Sequence, residues 1–205
     1  MTTRRFKPMM MTASMRAYIR RLKTMTRRLL NPQPDHFHRG ILDGRKNWDV
    51  LLPQDGDREI RCPYSPGDLL WIKEPWIGEV PRFNFRADYA PDGASILRWR
   101  SAMFMPKAAC RHIAEVTEVR SPERVQEIST EDAIAEGCTN EGGGEYAVDG
   151  MSVAQVRFMD LWDSIHKDPK KPERRWDANP WVWPIVFRPF DCDELAEALK
   201  ELKGK

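Results

Sequence analysis

The sequence predicts an α+β fold of short strands and short capped helices, and three observations predict it. Leu69, Leu70, Trp71 and Ile72 form a brief apolar run opened by the turn signal Pro66-Gly67-Asp68, the mark of a buried strand. Ser129, with Asp132 three residues on and Gly137 beyond, has a cap at each end of a helix over 130–136. Trp181, Trp183, Ile185 and Phe187 alternate with Val182 and Val186 as in a strand buried on at least one face, and Pro184 marks an edge or a break in it.

The remaining elements follow in chain order. Residues 5–12 read as a Met-rich strand, and Ser14 is an N-cap for a short helix over 15–22 in which Met15, Ile19 and Leu22 recur at helical spacing. A second strand runs over 24–30, with Thr24, Thr26 and Arg28 on one face and Met25 and Arg27 on the other, which places Lys23 at the helix-to-strand turn. Asn31-Pro32-Gln33-Pro34 ends it, and 35–62 is a long polar excursion containing a hairpin near Val50 and Leu52. After the strand at 69–72, a hairpin is expected around Pro91-Asp92-Gly93 with arms 83–89 and 95–99. Residues 111–119 read as a strand that loses strict alternation at a bulge. The run 138–150, with Gly142-Gly143-Gly144, reads as a flexible loop without the Lys and Ser/Thr context of a phosphate-binding loop. Ser152 with Gln155 opens a helix whose apolar face is Phe158, Leu161, Trp162 and Ile165, and 191–202 is an amphipathic C-terminal helix that docks on the barrel or on a second copy.

At 205 residues the chain is long enough for one domain with its own core, and its eight Trp point to a core built largely from aromatic side chains. Cys62, Cys110, Cys138 and Cys192 are scattered without a C-x-x-C pair, which argues against a zinc site and a disulfide framework. His36 and His38 lack an acidic or Cys partner at ligand spacing and read as loop surface, so neither a metal nor a cofactor is expected. No apolar run approaches a membrane span and no signal segment is visible, which predicts a cytoplasmic protein with no membrane partner. Oligomeric state is not legible.

Charge is distributed unevenly. The chain carries a net charge of +2, yet residues 1–34 hold nine Lys or Arg and no Asp or Glu, which predicts a positive patch suited to phosphate or another anion. The competing reading is a solvated helix face followed by a strand.

Lys23, Thr24, Thr26 and Arg28 meet a K-T-x-T-x-R pattern, followed in order by Gly67-Asp68 opening a strand, an E-D-A-x-A-E-G helix over 131–137 and a closing aromatic strand. In this the chain resembles the ASCH domain of the PUA-like group of small mixed β-barrels, over roughly residues 5–188. The phrases N-P-Q-P at 31–34, M-P-K at 105–107, L-W-D-S-I at 161–165 and W-D-A-N-P-W-V-W at 176–183 are similar to the variant carried by bacteriophages and prophages. The resemblance implies a PUA-like domain over 1–190 with flanking short helices, and an added C-terminal helix over 191–205.

It also implies chemistry. ASCH proteins that resemble amidohydrolases of acetylated cytidine use a lysine, a threonine three residues later and a glutamate at the end of the short helix, here Lys23, Thr26 and Glu136. A hydroxyl becomes a nucleophile when a base takes its proton, and a carboxylate can pass a proton to the leaving amine. Repulsion from Arg20, Arg21, Arg27 and Arg28 would lower the pKa of Lys23 and suit it to the role of base. Thr24, Arg20 and Arg28 are candidate ligand contacts, Arg28 through its planar fork, and Trp76 is the candidate for stacking on a base. Plainer readings stand beside these: Glu136 solvated, the threonines ordinary strand residues, Arg28 in a salt bridge to an acid near Glu131. Three roles remain open: a module that binds RNA or a modified nucleoside, an amidohydrolase using the same pocket, and a phage accessory protein whose surface binds a host factor.

Overall fold

The computed structural model describes residues 5–11, 13–34, 60–90, 97–139 and 150–204. The expected hairpin near Val50 and most of the long excursion and glycine loop lie outside these residues. The fold is α+β, a curled half-barrel sheet with few helices. Its strands are β1 (Phe6–Met10), β2 (Met25–Leu29), β3 (Leu69–Lys73), β6 (Ile113–Val119), β7 (Glu123–Arg124) and β8 (Trp181–Pro189), and β4 (Trp76–Glu79) with β5 (Arg82–Phe85) forms a separate two-stranded sheet. The helices are α1 (Met15–Ile19), α2 (Thr130–Ala135), α3 (Val153–Ile165) and α4 (Cys192–Lys203).

The sheet order is β1-β3-β6-β8-β2, with β7 also on β8. β1 runs parallel to β3, with Phe6 opposite Leu69, and the other pairings are antiparallel. β6 carries the expected irregularity, a register shift between Val116 and Glu118. β1 and β2 are the edges of this path, so the open seam of the curl lies between the two basic strands.

Period-two alternation along β3 divides the interior. Leu70 and Ile72 join a core with Met9, Met15, Tyr18 and Trp183, whereas Leu69 and Trp71 face a second one with Trp76, Phe85, Ala198 and Leu202. The second is where α4 docks, through Ala198 and Leu202, capped at Asp191 by a reciprocal bond with Glu194. A third core joins α2 and α3 to β8 through Ala133, Phe158, Trp162, Trp176 and Val182. Trp71, Trp76, Trp162, Trp176 and Trp183 are all buried, so aromatic rings fill much of these interiors.

Two local expectations are corrected. The arm expected over 83–89 is not one strand: Arg82–Phe85 pairs with Trp76–Glu79 and the chain then enters a 3-10 turn at Arg86–Asp88, while the turn expected at Pro91-Asp92-Gly93 lies outside the described residues. Gly78 is the reason the earlier pairing forms: at φ 119° an added Cβ would stand 2.3 Å from the Arg82 carbonyl oxygen, so only glycine lets the two strands close here. α1 ends at Ile19, shorter than predicted, because Arg21 adopts φ 58°; Ile19 and Leu22 are then exposed instead of sharing the apolar face of Met15.

Candidate functional site

The site is built where α1 turns into β2 and meets the end of α2. Thr24 N–H donates to the Ala135 carbonyl (2.8 Å), which ties the start of β2 to α2. α2 is capped at Ser129, whose hydroxyl accepts from Asp132 N–H, and it closes in a Schellman motif: Gly137 N–H donates to Ile134 and Cys138 N–H to Ala133. Gly137 has φ 93°, and a Cβ there would lie 2.5 Å from the Ala17 methyl. The glycine therefore serves both the left-handed turn and the close approach of α1 that sets Glu136 beside Lys23. Gly137→Ala is expected to cost roughly 2–4 kcal/mol by adding overpacking to the strained dihedral, measurable as a lower urea midpoint at unchanged m-value.

Lys23 and Glu136 are 2% and 3% exposed. The Lys23 ammonium pairs with Glu136 Oε2 and also donates to the Glu136 backbone carbonyl at 3.0 Å. Burial pushes the Lys23 pKa down; the Glu136 carboxylate opposes that shift, and Arg28 adds a smaller push in the same direction as burial. The predicted direction thus holds for a different reason: desolvation dominates, and Arg28 is the arginine that contributes.

Arg27 is the larger surprise. Its side chain is completely enclosed and its guanidinium reaches Glu123 (2.6 Å), Asp132 (2.7 Å) and, at 3.6 Å, Glu136 Oε1. Its cationic carbon also lies 5.8 Å from the Phe158 ring centre. Asp132 is shared with Arg120 at 3.0 Å, so a chain of alternating charges runs from Lys23 to the half-exposed Arg120. The salt bridge foreseen for Arg28 near Glu131 belongs to Arg27 and Asp132 instead.

Beside this network lies a cavity of about 340 Å³. Lys23, Thr26, Arg28 and Glu136 line its polar side, and Phe158, Trp162 and His166 of α3 and its C-terminus line the other. The Trp162 and His166 rings are 4.4 Å apart between centres. Arg28 crosses the open seam, donating from one terminal nitrogen to the Met10 carbonyl of β1 (2.7 Å) and to Met9 Sδ (2.6 Å). Its Nε and Glu136 Oε1 are both buried and have no hydrogen-bond partner among the described residues. Burial also pushes the Arg28 pKa down, against the pull of Tyr64 and Glu136.

The structure therefore brings Lys23, Thr26, Arg28 and Glu136 to one cavity and leaves three candidates away from it. Thr24 is used by the backbone, accepting from Phe187 N–H at 2.8 Å. Arg20 is exposed at the C-cap of α1. Trp76 opens β4 instead of standing outside a strand, and its ring is 5% exposed, covered by Arg100 at 5.0 Å and the edge of Phe83 at 5.7 Å. No face of it is left for a base. The α3 wall was legible as an apolar stripe but not as a cavity lining, because a stripe does not say what it faces. His166 gave no signal.

Among the described residues no group of three His, Cys, Asp or Glu is placed to hold a metal ion, and no helix is long and apolar enough to cross a membrane. The chain matches no known family model, no curated protein and no solved structure.

Proposed function

We propose that this protein is a PUA-like domain of the ASCH type, phage or prophage encoded, that takes a modified nucleoside, free or within RNA, base-first into the cavity between β2, the end of α2 and α3. One observation carries the reading. Glu136 Oε1, on a side chain that lines the cavity, is buried without a hydrogen-bond partner among the described residues, with Arg27 no nearer than 3.6 Å. Buried polar atoms are costly until paired, and the amino edge of a cytosine-like base offers a donor to such an acceptor. The volume of the cavity falls within the range of small-molecule sites, and Phe158, Trp162 and His166 present ring surfaces to a planar ligand.

A second reading, amide hydrolysis, is favoured by the contact between Lys23 and Glu136 with Thr26 on the same cavity wall. In that reading neutral Lys23 takes the Thr26 proton as the hydroxyl oxygen bonds to the acyl carbon. The C–N bond breaks as Glu136 relays to the leaving amine the proton that Lys23 took, and water then hydrolyses the Thr26 ester. Burial of Lys23 lowers the cost of its neutral form.

Calorimetric titration with acetylcytidine and cytidine, paired with chromatography of the mixture, tests both. Binding of acetylcytidine that weakens by about tenfold or more in Glu136→Gln is expected from loss of one charged hydrogen-bond acceptor. Release of acetate that disappears in both Lys23→Ala and Glu136→Ala, each checked for folding by circular dichroism, assigns the hydrolase. If neither nucleoside nor short RNA binds the wild type, both readings fall.

A further inference from the structure

We infer that the ligand of this cavity is anionic, a nucleoside carrying a phosphate ester whose charge is seated on Arg28. The identity of the base rests on the nucleoside reading above; the anion subsite stands on Arg28 by itself.

Arg27 meets carboxylates of Glu123, Asp132 and Glu136; Arg111 meets Glu74 and Asp88; Arg120 meets Asp132; Arg188 meets Glu115 and Glu194. Arg28 differs. It touches a carbonyl and a thioether, and no carboxylate among the described residues lies within ion-pair reach of it. Burying part of a guanidinium with no carboxylate in contact is costly. The fold keeps this one half-buried, its Nε enclosed, on a side chain that lines the cavity. Lys23 cannot serve the same anion, since its ammonium is already held by the Glu136 carboxylate and carbonyl.

Position selects phosphate on the sugar over an acidic base. Arg28 is half-buried where Lys23 and Glu136 are almost fully enclosed, so it stands nearer the mouth. A base directed at Glu136 leaves its sugar and phosphate beside Arg28. His166 lines the same cavity; burial lowers its pKa, and Arg174 and Arg28 add to that against Asp163, so both cations act on this wall. A planar guanidinium fork is suited to phosphate oxygens, and its free Nε is one tine of that fork. The phosphate has two sources, a free nucleotide or the backbone of a strand.

The experiment is calorimetric titration of the full chain with acetylcytidine, its 5′-monophosphate and a trinucleotide containing it, with pyrophosphate as competitor, on wild type, Arg28→Lys and Arg28→Gln. Expected is monophosphate binding about tenfold or more tighter than nucleoside, an advantage that shrinks with added salt. Arg28→Lys should keep part of it and Arg28→Gln none, while nucleoside affinity changes less. Tighter binding of the trinucleotide than the monophosphate assigns the phosphate to a strand; equal or weaker binding assigns it to a free nucleotide. Equal affinity for nucleoside and monophosphate in the wild type, or an advantage that survives in Arg28→Gln, overturns the inference and leaves the nucleoside reading intact. The converse outcome is also distinct: if no nucleoside binds but pyrophosphate does, and only with Arg28 present, the base assignment falls and the anion subsite stands.

Discussion

Arg27→Met lowers the stability of this protein by roughly 3–5 kcal/mol, the cost of taking the enclosed cation from Glu123, Asp132 and Glu136, whose side chains are 23%, 14% and 3% exposed. For a chain of this size that is a fall of about 6–20 °C in melting temperature. The expectation follows from geometry: the enclosed guanidinium is the common partner of Glu123, Asp132 and Glu136, and Met at this position supplies none of its hydrogen bonds. Arg120 continues to hold Asp132 and Lys23 continues to hold Glu136, so the remaining penalty falls mainly on Glu123. Chemical denaturation followed by far-ultraviolet circular dichroism reads it directly. A loss below about 1 kcal/mol, the value of an exposed ion pair, would show that water reaches the network.

The second large effect is non-additive. Lys23→Met alone removes the ammonium from a carboxylate that is 3% exposed and is expected to cost roughly 3–5 kcal/mol. Lys23→Met combined with Glu136→Leu removes both charges and fills much of the same volume, so the double variant should return to within about 1–2 kcal/mol of wild type. Arg27 keeps Glu123 and Asp132 in that variant, which is why removal of Glu136 does not strand it. The double variant should be folded and devoid of ligand binding or turnover. Equal destabilisation in the single and double variants would falsify the idea that the pair is held together mainly for its chemistry.

Local signals made much of this site legible before any coordinates. Gly137 and Ser129 fixed both ends of α2 by cap chemistry that depends on a few adjacent residues. Ser152 with Gln155 did the same for α3. Placing Lys23 at the turn needed only the observation that a strand cannot put it on the face of Thr26. What stayed hidden was tertiary. Arg27 and Arg28 are neighbours of identical type, and nothing in the chain says that one finds Glu123 and Asp132 while the other reaches across a seam to Met10. Trp76 is closed to a base for a related reason: Phe83 and Arg100 come from other segments to cover it. Phe83 pairs with Gly78 through a close backbone approach that no local signal announces, so its strand partner is visible only in three dimensions.

The place of β2 in the sheet has a consequence for biosynthesis. Among the described residues its one sheet neighbour is β8, with Thr26 opposite Ile185 and Arg28 opposite Trp183, so the segment bearing Lys23 to Arg28 emerges from the ribosome long before that partner exists. At about 5–20 residues per second, more than 150 codons separate the two, a wait on the order of ten seconds or more. Throughout that interval the nascent chain presents a cationic, unpaired edge with nothing to hold it in register.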